Sequence, residues 1–254
     1  MFGVTQSEEN FFMVMQYAND GDLVNFLKTN FSKLEWSDKF RLAFEIAEGL
    51  SFLHRENVVH RDLHSRNILI HEGHAKITDF GISRQINTDT TIHHGIFGRI
   101  PYIEPRLLRQ LDYPYDKRSD IYSFGVLMWE ISSGQCPFNG LDELTTRLNI
   151  IDGNRETPVP GTPDIYRELY VECWDDEPQK RPTIDIVLER LILMNSHYLG
   201  NENIISCIYH FNTALTFFLF FFFNLIYASK ASVSDEPSQT SEDISNFEDV
   251  SKSE

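Results

Sequence analysis

The spacing of hydrophobic residues separates a strand from two helices in the first part of the chain. An apolar run at residues 11–15 predicts a buried strand, and the polar turn at 19–22 leads into apolar helical positions at 23–27. Over residues 40–54, hydrophobic side chains recur every three or four positions, which is typical of an amphipathic helix. Ser37 is the predicted N-cap of this longer helix.

A second change of spacing, further along the chain, predicts a β-hairpin. The apolar run at 68–70 is followed by turn-forming residues at 71–74 and then by an alternating segment. A hairpin brings its open ends together. We therefore expect Asn67, before the first strand, and Asp79, after the second, to lie side by side.

The residues at these open ends have the chemistry of a metal-assisted reaction. Asn67 and Asp79 offer oxygen donors, and Mg²⁺ is usually held by one or two such groups together with substrate phosphates and waters. Asp62, five residues before Asn67, is placed to accept a proton or to orient a hydroxyl beside the metal. Gly81 is expected to let the chain turn sharply after Asp79.

The later part of the chain has a helical pattern. Residues 119–131 are apolar almost all round, as in a helix at the centre of a domain, and Gly134 and Pro137 form the expected stop. Segments 169–174 and 184–191 predict two further helices that pack the base. The pattern as a whole predicts an α+β fold that is mainly α.

Composition narrows the classes of partner and compartment. The 254 residues are 41% hydrophobic, which is enough for a sizeable core, and the net charge is −16. That charge argues against nucleic acid or an anionic membrane as a partner. Cys136, Cys173 and Cys207 are too widely spaced to indicate a disulfide framework or a metal cluster. With no signal peptide at the N-terminus, we expect a cytoplasmic location.

Two short motifs now identify a family resemblance. His60-Arg61-Asp62 with Asn67, and Asp79-Phe80-Gly81, resemble the catalytic and metal-binding loops of eukaryotic protein kinases. The resemblance extends from about residue 11 to about residue 193. It implies a remnant of the small lobe and hinge at 1–20 and a protein-kinase-like large lobe at 21–197.

The resemblance also implies a role for each matching residue. Asp62 would be the catalytic base, and Asn67 and Asp79 would bind the Mg²⁺ that accompanies ATP. Met15 would be the gatekeeper of a hinge whose other members are Gln16, Tyr17 and Ala18. The remaining catalytic positions are Arg61 and Arg66, and the structural supports are His60, Phe80, Gly81, Asp120 and Arg181. Among these supports, Asp120 is expected to hydrogen-bond the backbone of the catalytic loop.

Residues 82–100 match the activation segment in position. Candidate phosphorylation sites in it are Ser83, Thr88, Thr90 and Thr91, since a new dianion could pair with Arg61 and order the loop. The alternative is a solvated loop without modification.

The end of this segment departs from the family pattern. Kinases typically have Ala-Pro-Glu where this chain has Glu104-Pro105-Arg106, and the Glu pairs with an Arg that matches Arg181. Arg106 is therefore expected to place like charge against Arg181. A compensating swing of Glu104 is a hypothesis.

The substrate class rests on two further positions. Ser/Thr kinases usually have Lys where this chain has His64. Arg66, four residues after Asp62, resembles the residue that tyrosine kinases have at that position. Residues 98–102 are more similar to the tyrosine-kinase-like Ser/Thr group. We therefore expect transfer of the γ-phosphate of ATP to a Ser or Thr hydroxyl of a protein, with Tyr as the alternative.

Parts of the family pattern are missing before residue 59. There is no glycine-rich loop, no Lys after a Val-Ala-Ile strand and no Glu on a helix before the hinge. Because phosphoryl transfer depends on positioning and charge neutralisation, this sequence as written is expected to be inactive. A truncated gene model is one explanation. The rival function is a non-catalytic, pseudokinase-like interaction module.

Two segments follow the kinase-like region. Residues 203–228 are hydrophobic and rich in Phe, and they fit either a membrane-spanning helix, through 204–228, or a translated intron. The intron is favoured. The alternative to a cytoplasmic location is therefore anchoring in a membrane, and the non-catalytic module could be anchored in the same way. Residues 229–254 form an acidic tail that is disordered by composition.

Overall fold

The computed structural model describes residues 3–7, 10–85, 98–110 and 112–199. The strands are β1 (Gly3–Ser7), β2 (Asn10–Val14), β3 (Val58–Val59), β4 (Ile68–His71), β5 (His74–Ile77) and β6 (Arg84–Gln85). The α-helices are α1 (Leu23–Asn30), α2 (Trp36–Arg55), α3 (Pro105–Arg109), α4 (Lys117–Ser133), α5 (Glu143–Ile151), α6 (Asp164–Cys173) and α7 (Ile184–Leu199). The predicted mainly α, α+β class is confirmed.

The core is built around α2 and α4. Helix α2 packs against α7, β5 and α4, and α4 packs against α6. All residues of α4 from 119 to 133 are buried, as the all-round apolar pattern predicts. Gly134 ends α4 in the left-handed conformation at φ 68°, where a side chain would collide with the ring of Phe31.

The N-cap prediction for α2 was wrong by two positions. Glu35 is the N-cap, and its carboxylate and that of Asp38 form a reciprocal capping box with the backbone. Ser37 lies inside the first turn instead, because the backbone becomes helical at Trp36.

The first predicted strand is present, but its predicted burial was wrong. β2 pairs with β1 in an antiparallel hairpin that runs from Gly3↔Val14 to Ser7↔Asn10. Phe11 is 68% exposed and Phe12 is 51% exposed. Among the described residues no third strand joins this sheet. The hairpin therefore leaves its large side chains in solvent.

The predicted hairpin at the centre of the site is confirmed. β4 and β5 pair antiparallel from Ile68↔Ile77 to His71↔His74. Three contacts from neighbouring segments hold it: the amide of Ile70 donates to Gly21 O at 2.8 Å, Asp20 accepts from the amide of Gly73 at 2.9 Å, and Glu45 of α2 accepts from the amide of Ala75 at 2.7 Å.

Several expectations concern residues outside the described ranges. They are the hydrophobic segment 203–228, the acidic tail 229–254 and the candidate phosphorylation sites Thr88, Thr90 and Thr91. Within the described ranges, none of the helices combines the length and the apolar character needed to cross a membrane.

Candidate active site

Asp120, in the first turn of α4, holds the loop that carries Asp62. One carboxylate oxygen of Asp120 accepts from the amide of His60 at 2.9 Å, and the other accepts from the amide of Arg61 at 3.0 Å. Arg61 has a φ of 72°, a left-handed conformation that costs a non-glycine residue free energy. The two charge-assisted bonds to a carboxylate that is 1% exposed offset that strain.

His60 connects this loop to the segment that carries Asp79. Its Nε2 donates to the carbonyl of Thr78 at 3.0 Å, which leaves Nδ1 to accept from the amide of Asp62 at 3.3 Å. The ring of His60 also packs edge-on against Phe80, with centroids 5.4 Å apart. The two family motifs are thus in direct contact through His60.

Asn67 hydrogen-bonds one carboxylate oxygen of Asp62, and the other, Oδ1, is buried without a hydrogen-bond partner. Asn67 Nδ2 donates to the backbone carbonyl of Asp62 at 2.9 Å and to its Oδ2 at 3.2 Å. His64 Nδ1 accepts from the amide of Arg66 at 3.2 Å, so the neutral ring carries its proton on Nε2. That Nε2 lies 3.3 Å from Asp62 Oδ1.

The surroundings of the His64 ring disfavour its charged form. Burial lowers the pKa of His64 below its usual value, and the positive charge of Arg99 acts in the same direction, while Asp62 opposes them. The ring of His64 also packs against Tyr102, with centroids 5.9 Å apart. His64 therefore contacts the carboxylate without a positive charge, unlike the Lys of Ser/Thr kinases.

Asn67 and Asp79 lie at the adjacent open ends of the β4–β5 hairpin. The amide of Thr78 donates to the carbonyl of Asn67 at 2.9 Å, which continues the hairpin pairing to the residue beside Asp79. Asn67 uses its Nδ2 toward Asp62, which leaves its amide oxygen as the atom available to a cation. Asp79 is exposed. One amide oxygen and one exposed carboxylate fit Mg²⁺, which needs few protein ligands when phosphates and waters supply the rest.

The predicted source of the sharp turn was wrong. Asp79 itself adopts a left-handed φ of 62°, while Gly81 is not in that region. The amide of Gly81 donates back to Asp79 Oδ1 at 3.3 Å. Asp tolerates this conformation better than most residues because its short side chain can bond to the local backbone.

A buried polar chain that the sequence did not reveal supports the loop from below. Ser65 Oγ lies 2.9 Å from Tyr102 Oη, which donates to Glu130 of α4 at 2.5 Å. Burial raises the pKa of the Glu130 carboxyl to about 7. The sequence signal that could have identified this polar chain was a single Glu in a helix that is otherwise apolar almost all round.

The expected clash of Arg106 with Arg181 was wrong. Arg181 Nη1 pairs with Glu104 Oε2 at 2.7 Å, and both side chains are 0% exposed. Arg106 is directed to the surface, where it pairs with Glu177. Glu104 precedes Pro105 and faces inward. It therefore neutralises the buried Arg181, the role that the Glu at the position of Arg106 has in other kinases.

The predicted hinge residues lie in a segment without regular secondary structure, beside the β4–β5 turn. Met15 and Tyr17 are 50% and 81% exposed, and Gln16 Nε2 hydrogen-bonds with His71. Ala18 follows them and accepts from the amide of Gly21 at 3.4 Å. The segment is thus attached to the same hairpin that carries Asn67 and Asp79.

The two remaining arginines and Ser83 occupy different environments. Arg61 lies 5.0 Å from the ring of Tyr115 and is half-buried, and burial lowers the pKa of its guanidinium. Arg66 is exposed on the 3₁₀ turn before β4. Ser83 Oγ donates to the carbonyl of His60 at 3.2 Å. Ser83 is therefore already engaged by the loop that it was expected to contact after phosphorylation.

Comparison with known proteins gives a consistent result. A family model for "Protein tyrosine and serine/threonine kinase" matches residues 1–191. A probable serine/threonine-protein kinase of Dictyostelium discoideum is 32% identical over 184 residues, which cover 72% of this chain and 20% of that protein.

Relatives of both substrate classes match at similar levels. The cytoplasmic tyrosine-protein kinase BMX of Homo sapiens is 30% identical over 75% of this chain and 28% of its own length. A mitogen-activated protein kinase kinase kinase of Drosophila melanogaster is 33% identical over 70% of this chain and 16% of its own length. The chain thus spans less than a third of each of these relatives.

Proposed function

This chain belongs to the protein tyrosine and serine/threonine kinase family, and from that membership we propose that it carries the large-lobe part of a site that binds Mg·ATP and transfers the γ-phosphate to a protein hydroxyl. Because the glycine-rich loop, the Lys and the Glu are missing before residue 59, we expect these 254 residues alone to transfer little or no phosphate. Asp62 is the proposed base. Asn67 and Asp79 are the proposed metal ligands, and residues 15–18 are the proposed contact for adenine.

One arrangement carries this proposal: Asn67 contacts Asp62 through Nδ2 and lies beside Asp79 at the hairpin ends. The proposed base and one proposed ligand lie on the loop that Asp120 and His60 hold, and the second proposed ligand, Asp79, follows β5. Pre-positioning of this kind supplies much of the rate enhancement in phosphoryl transfer.

The residues present fit a magnesium ion with a nucleotide. When bound, the ion neutralises charge on the phosphate oxygens. Asn67 and Asp79 supply the oxygen donors, and in the described part of the chain no cluster of three or more His, Cys, Asp or Glu side chains offers a competing metal site. Asp62, held by Asn67 through Oδ2 and with Oδ1 free of hydrogen bonds, accepts the proton of the substrate hydroxyl.

Serine or threonine is the proposed acceptor. The sequence of residues 98–102 supports assignment to the tyrosine-kinase-like Ser/Thr group. Tyr102, in this segment, contacts the loop through Ser65. Neutral His64 in place of the usual Lys is an atypical feature of this group. A peptide array with paired Ser, Thr and Tyr acceptors would measure the preference directly.

A thermal-shift titration with Mg·ATP tests the nucleotide site on the purified chain. We expect a saturable rise in melting temperature that Asp79→Asn abolishes. Asp112→Asn, at an exposed position outside the site, is the matched control and should leave the shift unchanged. Absence of any shift would contradict the proposal. A shift that Asp79→Asn leaves unchanged would instead favour the non-catalytic interaction module.

A further inference from the structure

A groove of about 890 Å³ opens between the C-terminal end of α2, the N-terminal end of α4 and the corner that joins α6 to α7. We call it the α2–α4–α7 groove. Of the described residues that line it, none is a proposed base, metal ligand or hinge residue. It is therefore a separate candidate site, within the size range of ligand-binding clefts.

Basic side chains from three segments converge on this groove. Arg55 ends α2, Lys117 and Arg118 begin α4, and Lys180 precedes α7. The chain as a whole has 38 acidic against 22 basic residues. A surface with four cations is therefore the opposite of what the overall composition predicts, and it attracts anionic ligands.

Three carboxylates also line the groove, those of Asp116, Glu172 and the exposed Asp185, and they neutralise these cations only in part. Asp116 accepts from the amide of Arg118 at 2.7 Å as the cap of α4, and Glu172 pairs with Arg190 at 2.6 Å. The nearest approach of Arg118 to Asp116 is 3.9 Å. Lys117 donates to the neutral side chain of Asn57.

The remaining cations are more accessible still. Arg55 and Lys180 are exposed, and within the described residues neither takes part in an ion pair. Arg55 does act at longer range on the carboxyl of Glu48. Both side chains can thus bind an incoming carboxylate without first losing a partner at contact distance.

Apolar side chains alternate with the cations. Ile121 and Ile184 are buried in the floor, and Ile186 is 47% exposed at the edge. A free phosphate ion would leave this apolar surface uncovered. A peptide with carboxylates and a few aliphatic side chains matches both components.

The floor also connects the groove to the loop that carries Asp62. His54 lines the groove, is 4% exposed and lies 2.9 Å from Asp120 Oδ2. The same carboxylate accepts from the amides of His60 and Arg61. A ligand that contacts His54 is therefore separated from the catalytic loop by a single side chain.

We propose that the α2–α4–α7 groove binds an acidic peptide segment of a partner protein, which carries aliphatic side chains between its carboxylates. Binding there stabilises the His54–Asp120 contact and, through it, the amides of His60 and Arg61. The proposal is independent of nucleotide binding at Asn67 and Asp79.

The test uses the full chain and a fluorescent ten-residue peptide of Glu, Asp, Leu and Ile, followed by anisotropy. We expect saturable binding that weakens about tenfold or more in the double variant Arg55→Glu/Lys180→Glu and falls as salt is raised. The control variant Lys28→Glu/Lys33→Glu makes the same change of charge at exposed positions outside the groove. It should bind within about twofold of the parent protein.

The outcomes separate this site from its alternatives. An equal loss in both double variants would show bulk electrostatic attraction and overturn the proposal. So would tighter binding of an RNA oligonucleotide or of phosphatidylserine vesicles, or equal binding of the matching Gln/Asn peptide. If the double variant fails to fold, as judged by its melting curve, the single variant Lys180→Ala supplies the same comparison at an exposed side chain.

The nucleotide site has its own readout. The Mg·ATP thermal shift should be unchanged in Arg55→Glu/Lys180→Glu, while peptide binding should persist in Asp79→Asn. Hydrogen exchange at the amides of His60 and Arg61 should slow when the peptide is bound. Unchanged exchange at saturating peptide would contradict the proposed link through His54 and Asp120.

Discussion

Glu104 and Arg181 form a buried ion pair at 2.7 Å, although they are 77 positions apart in the sequence. Ser119 Oγ donates to the second carboxylate oxygen of Glu104, and the guanidinium also donates to the carbonyls of Asp175 and Arg118. With these bonds, the remaining polar atoms of both groups are satisfied, as a buried pair requires.

Removal of the negative charge should therefore be costly. Glu104→Gln leaves Arg181 charged and buried, and we expect a loss of about 3–5 kcal/mol in the free energy of unfolding. A domain of this size should melt roughly 10 °C lower. Arg106→Glu is the comparison. Because Arg106 is exposed and pairs with Glu177, this change should not raise the melting temperature, contrary to what a clash with Arg181 would require.

Asp120 should control local protection of the catalytic loop. In Asp120→Ala the amides of His60 and Arg61 lose their acceptor, and we expect their hydrogen exchange to accelerate by at least about tenfold, the equivalent of one hydrogen bond of roughly 1.4 kcal/mol. Asp120→Asn keeps one oxygen acceptor. It should retain protection at one of the two amides, whereas equal protection in all three proteins would contradict the role of this carboxylate.

Glu130 should make stability depend on pH. Burial raises the pKa of its carboxyl from 4.5 in the unfolded chain to about 7 in the folded protein. The folded state then binds the proton more tightly, so stability falls as the pH rises from about 4.5 to about 7. Glu130→Gln removes this fall. The variant should gain up to about 3 kcal/mol relative to the parent above pH 7, as measured by urea unfolding at several pH values.

Glu48 provides a comparison for this pH effect. The pKa of Glu48 is also raised to about 7, by burial and by Glu45, but its carboxyl is only half-buried. Solvent screening should therefore make the gain in Glu48→Gln distinctly smaller. Parallel stability curves for the parent and Glu130→Gln would contradict the predicted titration.

His64 can be tested by NMR titration of its ring nitrogens. We expect a pKa below its usual 6.5, with the proton of the neutral ring on Nε2. Asp62→Asn removes the one charge that opposes this shift and should lower the pKa further. A ring that is still protonated above pH 7 would contradict the dominance of burial over the charge of Asp62. A neutral ring with its proton on Nδ1 would contradict the hydrogen bond from the amide of Arg66.

The sequence correctly predicted those structural elements that depend on interactions between neighbouring residues. The β4–β5 hairpin follows from the alternation around residues 71–74, and the end of α4 follows from Gly134. The position of Asn67 opposite Thr78, next to Asp79 in the chain, could be inferred because a hairpin fixes its own register. These features depend on a few consecutive residues.

The features that the sequence did not predict depend on distant partners. The orientation of Glu104 toward Arg181 and the chain from Ser65 through Tyr102 to Glu130 join segments that only the folded core brings together. The exposure of Phe11 was missed for a related reason. An apolar run specifies a strand, but what covers it is a tertiary property.

The left-handed backbone of Asp79 allows strain and ligand binding to be separated. At φ 62° a non-glycine residue costs about 1 kcal/mol, so Asp79→Gly should raise the melting temperature of the free protein by roughly 2–4 °C. The same variant loses the carboxylate and should lose the Mg·ATP-induced shift.

Glu72, with a φ of 51° in the turn between β4 and β5, is the matched control position. Glu72→Gly should stabilise the free protein similarly and keep the full Mg·ATP shift. If both glycine variants respond to Mg·ATP like the parent, the strain at Asp79 is a property of the fold alone and the carboxylate is not a ligand. If only Asp79→Gly loses the response, the strained conformation is retained because it directs a metal ligand.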